Sequence, residues 1–316
     1  MKRVIVTGAS GFIGQPSVLA LRDRGFEVHA ISSKYANQHQ NGVTWHELNL
    51  HNKGEVAAIM AQIKPAYLLH LAWYVEHGKY WSSPENLKWV ITSLELAEQF
   101  LKHGGRRLVC AGTCAEYDWR GGLCSERSTP INPQTLYGAS KTGLQTILNS
   151  WAKNTGVSFA WGRIFFPYGP HENSDRLIPS TVLYLLRNEI ARCNRPDLGR
   201  DFIYVEDVAE IFATLVDSDY TGPINIGSGN PVKLGHAVDL IAKMLNASDL
   251  VEHGLNSEES SSEPLLFYAD TSELQNVLKR PAKISLEEGL NRTISWWRSR
   301  LSLTQASSAE PIRKSG

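Results

Sequence analysis

Two kinds of apolar pattern alternate along the chain. Short, mainly apolar runs that read as strands occur at 4–6, 28–31, 67–71, 108–111 and 157–164, the first of them wholly apolar and β-branched. Such runs suit strands buried on both faces, as in a parallel sheet. Between them lie stretches with helical spacing. Residues 13–24 carry Ile13, Val18, Leu19 and Leu21, and 136–153, 177–186 and 236–245 also read as helices. Alternating strands and helices over residues 1–165 predict an α/β fold with a doubly wound parallel sheet of Rossmann type. After Pro167 the pattern is more mixed. The polar stretch 252–263 predicts a mobile loop, and the Ser-, Ala- and charge-rich tail 304–316 predicts disorder. No internal repeat is present.

Candidate chemistry sharpens this picture. The first apolar run leads directly into Thr7-Gly8-Ala9-Ser10-Gly11-Phe12-Ile13-Gly14 and then into a helix. That strand–turn–helix context is what a dinucleotide fingerprint requires. Gly8 permits the turn, Gly11 admits the pyrophosphate, and Gly14 allows close helix–strand packing. The helix N-terminus offers N–H groups to the phosphates. Gly8, Ser10, Gly11, Phe12, Ile13 and Gly14 are therefore assigned to coenzyme binding. The second strand ends in Ser32-Ser33-Lys34, with no acid to accept a ribose 2′-OH. Two hydroxyls and a cation predict NADP(H), with NAD(H) as the alternative.

A second cluster completes the argument. Tyr137 and Lys141 are four apart in a predicted helix and share one face. An ammonium beside the phenol is expected to lower the tyrosine pKa and fit it for acid/base work. Thr113 follows the apolar run 108–111, at the C-terminal end of a strand, where doubly wound sheets bind ligands.

These motifs, in this order, resemble the extended short-chain dehydrogenase/reductase family, the group of nucleotide-sugar epimerases, dehydratases and 4-ketoreductases. The match runs over roughly residues 1–300. Further landmarks are Leu48-Asn49-Leu50, His70-Leu71-Ala72, Asn86, the Gly112–Tyr117 segment, Arg163 through Pro170, Arg200 through Val208, and Asn225-Ile226-Gly227-Ser228-Gly229. The resemblance implies catalysis by Thr113, Tyr137 and Lys141. It implies coenzyme contacts from Asn49, Leu50, Leu71, Ala72, Trp73, Asn86, Tyr137 and Lys141. It implies a substrate site including Trp73, Thr113, Cys114, Ala115, Phe166 and Arg200. It also implies a smaller substrate lobe over 166–303, with segments returning to the main sheet, and a homodimer through the helices at 86–103 and 137–153.

Departures from the family pattern narrow the reaction. Dehydratases of the family carry an Asp-Glu pair after the threonine, where this chain has Cys114 and Ala115. Phe166 replaces an asparagine that helps hold the substrate diphosphate in many relatives. The resulting expectation is reduction of a nucleotide-linked 4-keto-6-deoxyhexose. The rivals are a 4-epimerase retaining NAD and a non-catalytic NADP(H) sensor.

Composition removes other classes. Lys plus Arg equal Asp plus Glu at 32 each, which argues against a nucleic-acid partner. Four cysteines without zinc spacing point to free thiols in a reducing cytoplasmic setting. The ten histidines show no paired metal spacing such as HExxH, so no metal is expected. No apolar run is long enough to span a membrane, and entry into a strand by residue 4 leaves no room for a signal peptide. Trp73 and Trp119 divide evenly between pocket wall and packing, whereas Trp81 and Trp89 read as packing residues.

Overall fold

Val4, Ile5 and Val6 are all fully buried, but they serve two different cores. Val4 and Val6 face one side of a sheet and Ile5 the other, because successive strand side chains point to opposite faces. This explains why the run is continuously apolar. The structure is a computed structural model that describes residues 2–33, 41–254, 264–276, 278–279 and 282–308.

The first half reads β1 (Arg3–Thr7), α1 (Gly14–Asp23), β2 (Glu27–Ser32), β3 (Val43–Glu47), α2 (Lys53–Ile63), β4 (Tyr67–His70), α3 (Glu85–Lys102), β5 (Arg107–Thr113), β6 (Leu123–Cys124), α4 (Leu136–Thr155) and β7 (Ser158–Ile164). It continues with β8 (Phe166–Tyr168), α5 (Leu177–Leu186), β9 (Ala191–Cys193), β10 (Gly199–Tyr204), α6 (Val205–Val216) and β11 (Gly222–Ile226). The last elements are β12 (Pro231–Lys233), α7 (Leu234–Leu245), β13 (Val251–His253), β14 (Leu266–Ala269), α8 (Ser272–Asn276) and α9 (Leu286–Ser308).

Seven parallel strands form the main sheet in the order β11-β7-β5-β4-β1-β2-β3. On one face Val18 and Leu21 of α1 and Phe212 of α6 cover Val4, Val6 and Val109. On the other, Met60 of α2, Leu96 of α3 and Leu144 and Leu148 of α4 cover Ile5 and Leu68. Each such side chain stabilises the fold by roughly 1.5–3 kcal/mol on burial. Strand order reverses between β1 and β4, so the crevice at their C-terminal ends is the ligand position for this topology. The edge strand β3, Val-Thr-Trp-His-Glu, escapes a search for apolar runs because it is half polar and only partly covered.

The remaining elements form a second lobe. Strands β12, β10, β14 and β6 pair in that order, with β8 also on β10. Helices α5, α7 and α9 enclose a core containing Ile178, Val182, Ile241 and Leu290. The segment β11 returns to pair with β7. Two local expectations change. The stretch expected to be a loop from residue 252 starts inside β13, which pairs with β9, and 255–263 lie outside the described residues. Helix α9 runs past residue 304 to Ser308, so those residues are helical rather than disordered, and 309–316 lie outside the described residues. Among the described residues no helix is long and apolar enough to cross a membrane, and no group of three His, Cys, Asp or Glu could hold a metal.

One lobe contact carries an electrostatic cost. Glu172, in the turn before α5, pairs with Arg176 at 3.2 Å through Oε1, while its buried Oε2 has no hydrogen-bond partner. Burial, opposed by the arginine, pushes the Glu172 carboxyl up to about 8. Between the ordinary carboxylate range and that value the folded state binds more protons than the unfolded chain, so stability falls as pH rises. Glu172→Gln should therefore stabilise the protein at pH 8.5 by roughly 1–3 kcal/mol, the scale of an unsatisfied buried polar group. That advantage should shrink towards pH 4.5. Denaturant unfolding at both pH values measures it, and a variant less stable than wild type at pH 8.5 would contradict the assignment.

Candidate active site

The glycine turn closes against three strand ends. Gly8 has φ +67°, open to glycine at little cost, and a Cβ there would meet the Ala72 backbone after β4. A Cβ at Gly14 would strike the Gly8 carbonyl, so α1 can start this close to β1 only with glycine. The Ser10 hydroxyl bonds that of Ser32, at the end of β2, at 2.9 Å. No side chain caps α1 and no acid stands in its first turn. An uncapped helix N-terminus behind a turn without side-chain bulk fits a pyrophosphate. Phe12 and Ile13 are half-buried on this turn, Gly11 is exposed, and Ser33 is exposed at the end of β2. Lys34 lies outside the described residues.

The floor of the crevice is polar and satisfied. His70, at the end of β4, bonds Thr7 Oγ1 through Nδ1 at 2.7 Å and Ser93 Oγ through Nε2 at 2.8 Å. Complete burial pushes its pKa down to about 3, so the ring is a neutral brace. Leu71 and Ala72 follow, and the Ala72 N–H donates to Thr7 Oγ1 at 3.4 Å. Asn49 is exposed beyond β3, accepting from the His51 N–H, and Leu50 is buried beside it.

The three expected catalytic residues do converge. Thr113 is the last residue of β5, and its hydroxyl lies close enough to Tyr137, in the first turn of α4, to work against the rise in the phenol's pKa. A Cβ at Gly138 would strike the Ala115 carbonyl, so glycine is what lets α4 start against the end of β5. Thr135 caps the helix through the Gly138 N–H at 3.1 Å, and the Tyr137 N–H donates to the Trp81 carbonyl. Lys141, one turn on, donates to the Ala111 carbonyl at 2.8 Å. Its ammonium also lies 3.7 Å above the Trp73 ring centroid.

The electrostatics reverse one expectation. Tyr137 is held well above its ordinary pKa, mainly by burial and then by Tyr80, whose ring is edge-on at 4.9 Å. The Lys141 ammonium, turned to Ala111 and Trp73, does not offset this. Burial pushes Lys141 itself down to about 7. The phenol is thus a proton donor at neutral pH rather than a pre-formed phenolate.

Other expected residues divide. Trp73 is buried with its Nε1 on Asn86 Oδ1 at 2.8 Å, and both Asn86 amide hydrogens go to the Tyr80 and Ser83 carbonyls. Asn86 thus braces the loop after β4. Cys114 packs in a cluster with Tyr117, Cys124, Phe165 and Phe267. Trp119 covers that cluster, its ring 4.6 Å from Phe267. Ala115 is buried and brings no acid. Phe166 and Arg200 meet, the guanidinium 5.8 Å from the ring, and Arg200 also donates to the Gly199 and Pro264 carbonyls. Asp201, next to it, accepts from the Ser228, Gly229 and Ala269 N–H groups.

Sequence reasoning missed Tyr80 and Arg176. The Arg176 guanidinium lies near the Tyr80 hydroxyl and partly offsets the rise that burial gives its pKa, bringing the loop after β4 to the lobe beside Tyr137. Nothing in the spacing of residues 80 and 176 announces this contact, which crosses between the two lobes.

Comparison with known proteins agrees with this geometry. Residues 4–227 match the model of the NAD dependent epimerase/dehydratase family. UDP-glucuronic acid decarboxylase 1 of Xenopus tropicalis is 27% identical over 95% of this chain and 73% of its own length. A UDP-N-acetylglucosamine 4-epimerase from Methanobrevibacter ruminantium M1, in complex with UDP-N-acetylmuramic acid, superposes with TM-score 0.84 at 24% identity, covering 95% of this chain and 99% of that one. MoeE5 in complex with UDP-glucose and NAD gives TM-score 0.83 at 25% identity, covering 95% and 99%. With the glycine turn, the Thr113–Tyr137 contact and the doubly wound sheet in place, the chain belongs to the NAD dependent epimerase/dehydratase family.

Proposed function

We propose that the protein is an NADP(H)-dependent oxidoreductase that reduces a nucleotide-linked 4-keto-6-deoxyhexose. The observation that carries this reading is the hydroxyl pair of Thr113 and Tyr137, with a phenol that burial keeps protonated. Two donors at one point suit a ketone oxygen. Elimination of water needs a further acid/base pair beside the threonine, and Cys114 is packed away while Ala115 has no titratable group.

The chain's own residues would act as follows. The turn from Gly8 to Gly14 would hold the coenzyme pyrophosphate, and the bound coenzyme supplies the hydride. Thr113 orients the ketone oxygen, and Tyr137 donates the proton to it. Lys141, one turn along α4 from Tyr137 and held by the Ala111 carbonyl and the Trp73 ring, has a pKa lowered to about 7 by burial. The cationic Arg200 beside Phe166 suits a diphosphate. Ser32, Ser33 and Lys34 favour a 2′-phosphate, although MoeE5 was solved with NAD. A 4-epimerase with retained NAD is the second reading, favoured by its use of the same three residues and by the fold shared with a 4-epimerase.

The deciding experiment is to release and identify any coenzyme from purified protein, then supply NADPH or NADH with a nucleotide-linked 4-keto-6-deoxyhexose. Oxidation of NADPH with formation of a deoxy sugar supports reduction, whereas tightly held NAD and interconversion of C4 epimers supports the second reading. Tyr137→Phe should lower turnover by about two orders of magnitude or more, and near-normal turnover would assign the proton to another group. Leu87 and Ile91 on α3 and Ile147 on α4 are exposed at 55%, 57% and 49%. These adjoining faces favour pairing with a second copy. Ile91→Lys should then shift sedimentation from dimer to monomer, and an unchanged dimer would rule this face out.

A further inference from the structure

A carboxylate stands directly behind the reacting threonine and takes no part in the chemistry above. Glu116 is completely buried. Its Oε1 accepts the Thr113 N–H and the Trp161 Nε1–H, each at 2.9 Å, and its Oε2 accepts Arg163 Nε–H at 2.7 Å. Arg163 continues the network by donating to the Tyr117 hydroxyl at 3.0 Å, which donates to Asn225 Oδ1 at 2.7 Å. Thr113 answers from its own side: its Oγ1 accepts the Ala115 N–H at 3.2 Å, closing a capping box around the turn 114–116. That turn presents the Ala115 carbonyl against which Gly138, beside Tyr137, is packed.

An apolar side chain would fill this space without the desolvation that a buried ion pair carries. What the carboxylate adds is direction. Three donors from β5 and β7 converge on its two oxygens, so the backbone of Thr113 has one orientation. The carboxylate itself is spoken for by Arg163 and Trp161 and is no acid or base for a substrate.

We propose that Glu116, held by Arg163, is a positioning residue that aims the Thr113 hydroxyl at Tyr137 and thereby builds the ketone site. This rests on the reading of Thr113 and Tyr137 as the reacting pair. Arg163→Lys would keep a cation beside the carboxylate while losing the planar fork, and Glu116→Gln would leave too few acceptors for three donors, because the amide must face Arg163 with one of its own N–H groups.

A double-mutant cycle tests the proposal. Thr113→Ala, Glu116→Gln and the double variant are compared by kcat and KM for ketone reduction and by coenzyme affinity. Glu116→Gln is expected to lower kcat about 10- to 100-fold, leaving KM and coenzyme affinity within about twofold. Added to Thr113→Ala it should cost less than about twofold more, since residues acting through one another are not additive. Losses that multiply in the double variant, or a lowered melting temperature with unchanged kcat, would overturn the proposal. Should Glu116→Gln fail to fold, Arg163→Lys enters the same cycle with the same expectation. Full turnover by both Tyr137→Phe and Thr113→Ala would instead sink the reading of the reaction. The geometry is then still decided by a crystal structure of Glu116→Gln or Arg163→Lys, in which an unmoved Thr113–Tyr137 contact refutes positioning.

Discussion

A parallel sheet has to be covered on both faces, and that requirement organises this molecule. Where a helix crosses between strands of the sheet, as α1, α2, α3, α4 and α6 do, the end of the strand before it and the start of the helix meet at one edge. At that edge the chain places the turn from Gly8 to Gly14, His70, Thr113 and, through the start of α4, Tyr137. The two apolar cores supply the stabilisation, and the polar residues at the edge can be held in orientations that a smaller core would not tolerate.

Burial at the edge then sets the protonation states. Desolvation raises Tyr137 and lowers both Lys141 and His70. All three shifts favour the neutral form, which is the common effect of removing charged groups from water. A neutral His70 ties Thr7 to Ser93 beneath the crevice. A neutral phenol suits proton donation. The same pressure makes Glu116 conspicuous, because its carboxylate is as deeply buried and is accommodated by Arg163, Trp161 and the Thr113 amide.

The second lobe contributes contact rather than a second core for chemistry. Tyr80 and Arg176 join the loop after β4 to the turn before α5, and Phe166 and Arg200 stand on adjoining strands β8 and β10. The return of β11 to the main sheet, with Asn225 bonded to Tyr117, ties the lobe to the threonine segment.

By itself the sequence determined the strand–turn–helix cradle, the parallel sheet, and the place of Thr113 at a strand end with Tyr137 and Lys141 one turn apart on a helix. Apolar periodicity and glycine spacing are local properties that survive being read one residue at a time. It could not show β3, whose half-polar edge pattern gives no apolar run, nor the reach of α9 past residue 304. Only the tertiary structure decided that Lys141 turns to Ala111 and Trp73, that Asn86 braces a loop, and that Cys114 packs inward. Only it brought Tyr80 to Arg176 and Glu116 to Arg163. Each of these depends on desolvation and on partners from distant segments, and neither quantity is written in the spacing of one chain.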